Sequence, residues 1–298
     1  MIDLHEKIFD KNHLKQSFDS AAVTYESHSV LQRYTADEIL DRLKVMNINP
    51  RLMMDLGSGT GLAASRLCEL YSKAAICQVD ISLNMLKTAR DKKKDKRKYK
   101  HYLCADAESL PFNSDTFDLV VSNLMLQWGE DCQKIFSDVH GILKPGGVFM
   151  FATLGPSTLH ELKDSWAEVD EHRHVNNFID MHILGEMLVS VGMSDPVMES
   201  DTTLMYFKSA FEIMRHLKCL GAHNVNYGRR KTLTGKTKIK AMEAAYEAFR
   251  NKKGLPCSYE VVYGHAWKPT AGSSPAQTKP HTFSLASLKE TLTKFSNK

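Results

Sequence analysis

The segment Met54-Asp55-Leu56-Gly57-Ser58-Gly59-Thr60-Gly61 constrains the fold more than any other part of the chain. An apolar run, Leu52 to Met54, leads into it, and the helical pattern Leu62-Ala63-Ala64-Ser65-Arg66-Leu67 follows. The order is therefore strand, glycine turn, helix. Glycines let such a turn approach a ligand closely, and the N–H groups of the helix start point at whatever sits there. A dinucleotide fingerprint reads G-x-G-x-x-G, but here Gly61 comes one position early and Leu62 fills the dinucleotide slot. The turn thus points to a nucleoside-type ligand of another kind.

Later segments repeat the pattern. Ala75 to Val79 reads as a buried strand closed by Asp80, and Ser82 caps the helix that begins at Leu83. His101 to Ala105 is a third strand, ending at Asp106; Phe117 to Ser122 is a fourth, and Gly147 to Ala152 a fifth. Leu14 to Leu43 reads mainly as helix, ended by Asn47-Ile48-Asn49-Pro50. Beyond Gly155 the pattern is mostly helical, with Met181, Leu184, Leu188 and Val191 on one helix face, and strands return at Thr203–Phe207 and Tyr259–Gly264. Strands alternating with helices predict an α/β fold: a doubly wound, mostly parallel sheet of seven strands with helices on both faces. Residues 1–269 are expected to form a single domain, with an N-terminal helical cover at about 11–46 and a helical insertion at about 156–250. Thr270 to Pro280 reads as a linker, and Phe283–Phe295 as part of a poorly ordered tail.

Bulk properties narrow the class. A chain of 298 residues can bury a substantial core, and 25% charged with 43% hydrophobic residues is ordinary for a globular protein. No apolar run approaches the ~20 residues that would span a bilayer, so no membrane partner is expected. Residues 1–18 lack an apolar signal core and are not arginine-rich, which points to the cytoplasm. The six cysteines are scattered, without a C-x-x-C pair, so zinc and a disulfide framework are not expected. A net charge of +4 is too mild to imply nucleic acid. His172, His174 and His182 fit no zinc spacing, and no metal is expected.

In a doubly wound sheet, ligands bind outside the carboxyl ends of the strands. Asp55, Asp80, Asp106 and Asn123 all fall there. Asp80 stands at the right distance beyond the glycine turn to accept both ribose hydroxyls of a nucleoside, since two vicinal donors suit one carboxylate. Asp106, with Ala107, would face the adenine edge, where the amino group donates. Two basic segments stand out. Lys92 to Lys100 reads as a solvated loop or a patch steering an acidic partner. The second, Gly228-Arg229-Arg230-Lys231 to Lys236, offers arginine forks that hold carboxylate or phosphate bidentately.

Asp55 to Gly61, Asp106-Ala107-Glu108-Ser109-Leu110-Pro111-Phe112, Ser122-Asn123-Leu124-Met125-Leu126-Gln127-Trp128 and Leu143-Lys144-Pro145-Gly146-Gly147 together resemble the class I S-adenosylmethionine-dependent methyltransferases. Ser17 to Glu26 with Gln32, Gly155 to Leu162, His174 to His182 and Tyr263-Gly264-His265-Ala266-Trp267-Lys268-Pro269 are similar to the BioC family, the malonyl-acyl-carrier-protein O-methyltransferases of biotin synthesis. That resemblance implies S-adenosylmethionine as cofactor, contacted at Asp55, Gly57, Ser58, Gly59, Gly61, Asp80, Ile81, Asp106, Ala107 and Asn123. Asp55 would face the methionine part. Tyr25 would lie over the cofactor near the transferred methyl as the catalytic residue. Arg229 and Arg230, with Asn176 and His182, are the candidates on the substrate side, facing the malonyl carboxylate or the acidic acyl carrier protein.

The implied reaction is an in-line displacement by a carboxylate already ionised at pH 7, so no general base is needed. The methyl ester would mask the charge while fatty-acid enzymes lengthen the chain. The methyl-donor motif leaves two other acceptor readings open: a same-fold methyltransferase acting on a quinone or other small molecule, and a respiratory-complex assembly factor. Whether the malonyl group rides on carrier protein or coenzyme A is also open.

Overall fold

Side chains alternate strictly between the two faces of the central strands. Met53, Ile76, Leu119 and Val121 join one core, while Met54, Val79 and Val120 join the other, and each is fully buried. A strand that buries both faces must be covered on both, and the helices supply the cover. A computed structural model describes residues 9–92, 100–227, 229, 232 and 234–270. In chain order, helices α1 (Lys11–Ala21), α2 (Tyr25–His28) and α3 (Val30–Lys44) precede strand β1 (Leu52–Leu56). Then come α4 (Leu62–Leu70), β2 (Ala75–Asp80), α5 (Leu83–Asp91), β3 (Lys100–Cys104), β4 (Phe117–Asn123), α6 (Cys132–Ile142) and β5 (Leu143–Leu154). The rest is α7 (His160–Ala167), α8 (Met181–Ser190), β6 (Ser194–Phe207), α9 (Ala210–Cys219), α10 (Lys236–Tyr246) and β7 (Leu255–Trp267).

The sheet has seven strands in the order β3-β2-β1-β4-β5-β7-β6. The first five are parallel, and β7 runs antiparallel between β5 and β6. The chain winds outward from β1 to β3 and then returns to lay β4 beside β1. Helices must leave to opposite faces there, and a crevice opens at the carboxyl ends of β1 and β4. One core packs α3, α4, α7, α9 and α10 against the sheet; the other packs α6 and α8.

Three expectations change in detail. The N-terminal helix is broken rather than continuous: Thr24 turns its hydroxyl onto the carbonyls of Cys219 (2.9 Å) and Ala21 (3.1 Å), and Ser29 turns its hydroxyl onto Glu26. Such hydroxyl–carbonyl bonds compete with helix continuation. The region 156–250 is not wholly helical, because β6 runs through it as an edge strand of fourteen residues, far longer than Thr203–Phe207. β5 starts at Leu143, before the expected Gly147: Leu143 already pairs with Phe117, and a bulge holding Gly146 at φ +77° separates that pair from Val148–Leu119. Of the linker and tail, only Thr270 lies among the described residues.

Candidate active site

The glycine turn closes against the neighbouring strand. The N–H groups of Gly57 and Ser58 both donate to the Val79 carbonyl, at 2.8 and 3.0 Å. Gly57 has φ +75°, and a Cβ there would stand 2.2 Å from Met125 Cγ, so only glycine lets the two segments meet. Gly61 has φ +76°, and a Cβ would strike Gln78 Oε1 at 2.5 Å. Gly59 differs: a Cβ there would meet only the Tyr25 ring, at 3.8 Å. Its backbone faces a cavity of about 750 Å³.

That cavity, the donor chamber, lies in the crevice at the carboxyl ends of the strands. Gly57, Gly59, Asp80, Ile81, Asp106, Ala107 and Asn123 line it, as does Tyr25; Asp55, Ser58 and Gly61 do not. Asp80 accepts from Gly59 N–H (2.7 Å) and Ser82 N–H (2.8 Å), one on each oxygen. Burial pushes its carboxyl up to about 6 against those two bonds. Asp106 accepts from Glu108 N–H, and Lys11 of α1 reaches across to Asp106 (2.7 Å) and Glu108 (2.8 Å). Asn123 spends its side chain on α3: Oδ1 accepts from the Thr35 hydroxyl (2.7 Å) and Nδ2 donates to the Gln32 carbonyl (3.0 Å).

Asp55 is placed differently from the expectation that it faces the ligand. It is 1% exposed beneath the turn and accepts from Ala64 N–H (3.0 Å) in the first turn of α4. Gly61 at the helix start has no side chain to cap those donors, and the carboxylate supplied by β1 does so instead. Burial raises its carboxyl to about 7.

A second cavity, of about 890 Å³, adjoins the first. Phe18, Tyr25, Leu124 and Trp128 line both and form the wall between them. Trp128 is held there by Phe18, edge-on at 5.5 Å. Leu124 and Leu159 both line this second cavity, named the acceptor chamber for the methyl acceptor expected from the sequence, with left-handed backbones, φ +54° and +56°. A leucine in that region costs on the order of 1–3 kcal/mol, which the Leu124–Ala152 and Leu159–Ser258 backbone bonds hold in place. Among the described residues the lining carries no lysine, arginine, aspartate or glutamate. Its polar side chains include His174, His216, His223, Gln32, Gln127, Asn176 and Asn224, with Tyr25 and Tyr259. Burial pushes His216 and His223 down, towards the neutral form. His174 stacks on Trp166 at 3.8 Å and shares Asp170 (2.8 Å) with Lys238 (2.8 Å). Those two partners, Lys238 first, hold Asp170 well below the usual carboxylate range. Gln32 Oε1 is buried without a partner.

Of the three substrate-side candidates among the described residues, only Asn176 reaches this chamber, accepting from Asn226 Nδ2 (2.8 Å). His182 is exposed at the start of α8, where its N–H is capped by Asp180. Arg229 donates to the Asn226 carbonyl (3.0 Å), stands 3.7 Å from Asp10, and lines neither chamber; Arg230 lies outside the described residues. Tyr25 sits in the shared wall. Burial, with the carboxylates of Asp80 and Asp55, raises its phenol far above the usual range. Sequence reasoning missed Lys11, the strained leucines and the His174–Asp170 pair. The histidine was visible in the sequence, but its partner four residues earlier carried no motif.

Residues 54–151 match the family described as a methyltransferase domain. The YcgJ protein of Bacillus subtilis superposes with a TM-score of 0.56 at 17% identity, over 78% of this chain and 98% of that one, which speaks to the fold alone. The malonyl-[acyl-carrier protein] O-methyltransferase of Laribacter hongkongensis is 40% identical over 88% of this chain and 91% of its own. That of Halorhodospira halophila is 41% identical over 87% and 88%. Similarity of that depth over most of both chains, well beyond the matched domain, places this chain in the malonyl-[acyl-carrier protein] O-methyltransferase family.

Proposed function

We propose that this chain transfers the methyl group of S-adenosylmethionine to the free carboxylate of a malonyl thioester carried on acyl carrier protein, as a cytoplasmic step towards biotin. The observation that carries the reading is the pair of adjoining chambers: one lined by the glycine turn with Asp80, Asp106 and Glu108, the other lined among the described residues by no charged aspartate, glutamate, lysine or arginine, the two meeting at Phe18, Tyr25, Leu124 and Trp128.

The donor chamber fits the cofactor on its own chemistry. Gly59 leaves open the space a side chain would fill, and each Asp80 oxygen keeps acceptor capacity beyond its one backbone bond. Gly57, Gly59, Asp80, Ile81, Asp106 and Ala107 would hold the cofactor, while Ser58, Gly61, Asp55 and Asn123 shape the turn and the chamber walls. When bound, S-adenosylmethionine supplies an electrophilic methyl group on a sulfonium centre. The chain's own task is alignment and exclusion of water. Proximity of this kind is worth up to ~7–11 kcal/mol in favourable cases. Tyr25, held as a neutral phenol, orients and does not take a proton, in keeping with an acceptor that is already ionised.

An arginine fork on the carboxylate would stabilise the ground state and blunt its nucleophilicity. Among the described residues the acceptor chamber presents His174, Asn176 and Gln32 instead, side chains whose N–H groups can donate to a carboxylate oxygen without a fixed positive fork. Incubation with malonyl carrier and methyl-labelled cofactor should give a base-labile methyl ester. Absence of label transfer to any malonyl thioester overturns the reading.

A further inference from the structure

Between Glu212 and Glu243 the chain runs thirty residues with eight lysines and arginines and no aspartate or glutamate. The whole chain is nearly balanced, 39 basic against 35 acidic residues, so everything outside this run carries more acid than base. Its first part lines the acceptor chamber, through His216, Leu217, Leu220 and His223.

Its outer side is equally ordered. Phe211, Arg215 and Lys218 recur at i, i+4 and i+7 and share one face of α9. Arg215 and Lys218 are exposed, and Phe211 is 59% exposed beside them. Lys236 and Lys240 are exposed on the first turns of α10, which packs against α9. Other cations of the run are neutralised locally: Lys238 by Asp170 and Arg229 towards Asp10. Arg215, Lys218, Lys236 and Lys240 form no ion pair with another described residue.

We propose that this outer face of α9 and the start of α10 is the docking surface for the acidic face of the carrier protein, with Phe211 as an apolar anchor beside the basic rim. The inference rests on the proposed function and names the surface by which its substrate is delivered. Unpaired like charges around a mouth repel one another, and an acidic partner relieves that repulsion. They also steer such a partner to the chamber, raising the rate of encounter in a salt-dependent way. An acyl group on a flexible arm then enters past His216 and His223 while the carrier stays outside.

The test uses the full chain and two substrates: malonyl on acyl carrier protein, and malonyl on the small neutral thiol N-acetylcysteamine. R215E/K218E and K236E/K240E should each raise KM for the carrier substrate by about tenfold or more, leave kcat unchanged, and flatten the salt dependence of kcat/KM. Neither should alter turnover of the small thioester, and K87E on α5 should match wild type on both. An unchanged carrier KM, equal loss on both substrates, or the same loss in K87E overturns the proposal. So does an oligonucleotide that binds as tightly as the carrier. If wild type methylates neither thioester, the functional reading falls, and direct binding of unloaded carrier to wild type and R215E/K218E still reads the surface.

Discussion

Asp55 shows how one residue can satisfy a motif without lining the chamber beside it. Its carboxylate is sealed under the glycine turn, capping α4, and its second oxygen has no partner. Burial raises its carboxyl from the ordinary 3.8 to about 7. The folded state therefore binds a proton that the unfolded state has released, and stability falls as pH rises from about 4 to about 7. Asp55→Asn keeps an acceptor for Ala64 and removes the buried charge. Its melting temperature at pH 8 should exceed wild type by a few degrees, since ~1 kcal/mol moves Tm by about 2–4 °C at this size. At pH 4 the two proteins should converge; a gain that is constant with pH would show that the cap, not the charge, is responsible. Tyr25 offers the complementary case. Because its phenol stays protonated, Tyr25→Phe should keep measurable turnover and an unshifted pH–rate profile up to pH 9. Loss of an alkaline limb in that profile would make it an acid–base group after all.

At the scale of elements, the donor side of the fold was legible because its chemistry is local. Each parallel strand ends at, or within two residues of, a polar residue or glycine, and those ends converge wherever the sheet is doubly wound. Asp80, Asp106 and Asn123 were found this way. The antiparallel end was not legible in detail, since nothing in Leu255–Trp267 states its direction or that Ser194–Phe207 pairs along its whole length. The acceptor chamber draws its wall from α1, α3, α7, α9 and the loops around Leu124, Val175 and His223, so no local pattern could reveal it. The arginine pair attracted attention as chemistry, yet packing turned Arg229 to Asp10 and the Asn226 carbonyl. The break between α1 and α2 matters most, because it drops Tyr25 over Gly59. Thr24 pins that break to the end of α9. Thr24→Val should cost about 1 kcal/mol and speed amide exchange across Tyr25–His28. KM should rise for donor and acceptor together, because both chambers share Tyr25. Unchanged exchange there would mean that the hydroxyl does not set the break.

For the whole molecule, the two chambers make the N-terminal cover the coupling element. α1 closes the donor side through Lys11 on Asp106 and Glu108, and Phe18 on the same helix lines both cavities. A ligand in the donor chamber should therefore order a surface that the acceptor chamber also uses. S-Adenosylhomocysteine, which occupies that chamber without supplying a methyl group, gives a direct readout. A ligand bound only by the folded state adds ~2.7 kcal/mol at one hundred times its dissociation constant. At about 2–4 °C per kcal/mol, Tm should rise by about 5–10 °C. The amides of α1 and α2 should become protected, because the cover closes on the ligand. Asp80→Ala removes the acceptor that anchors Gly59 and Ser82 and should abolish the thermal shift at the same concentration. Protection confined to β1, β2 and α4, with α1 and α2 unchanged, would leave the donor site intact but sever it from the cover. The acceptor chamber would then have to be organised by the carrier side alone.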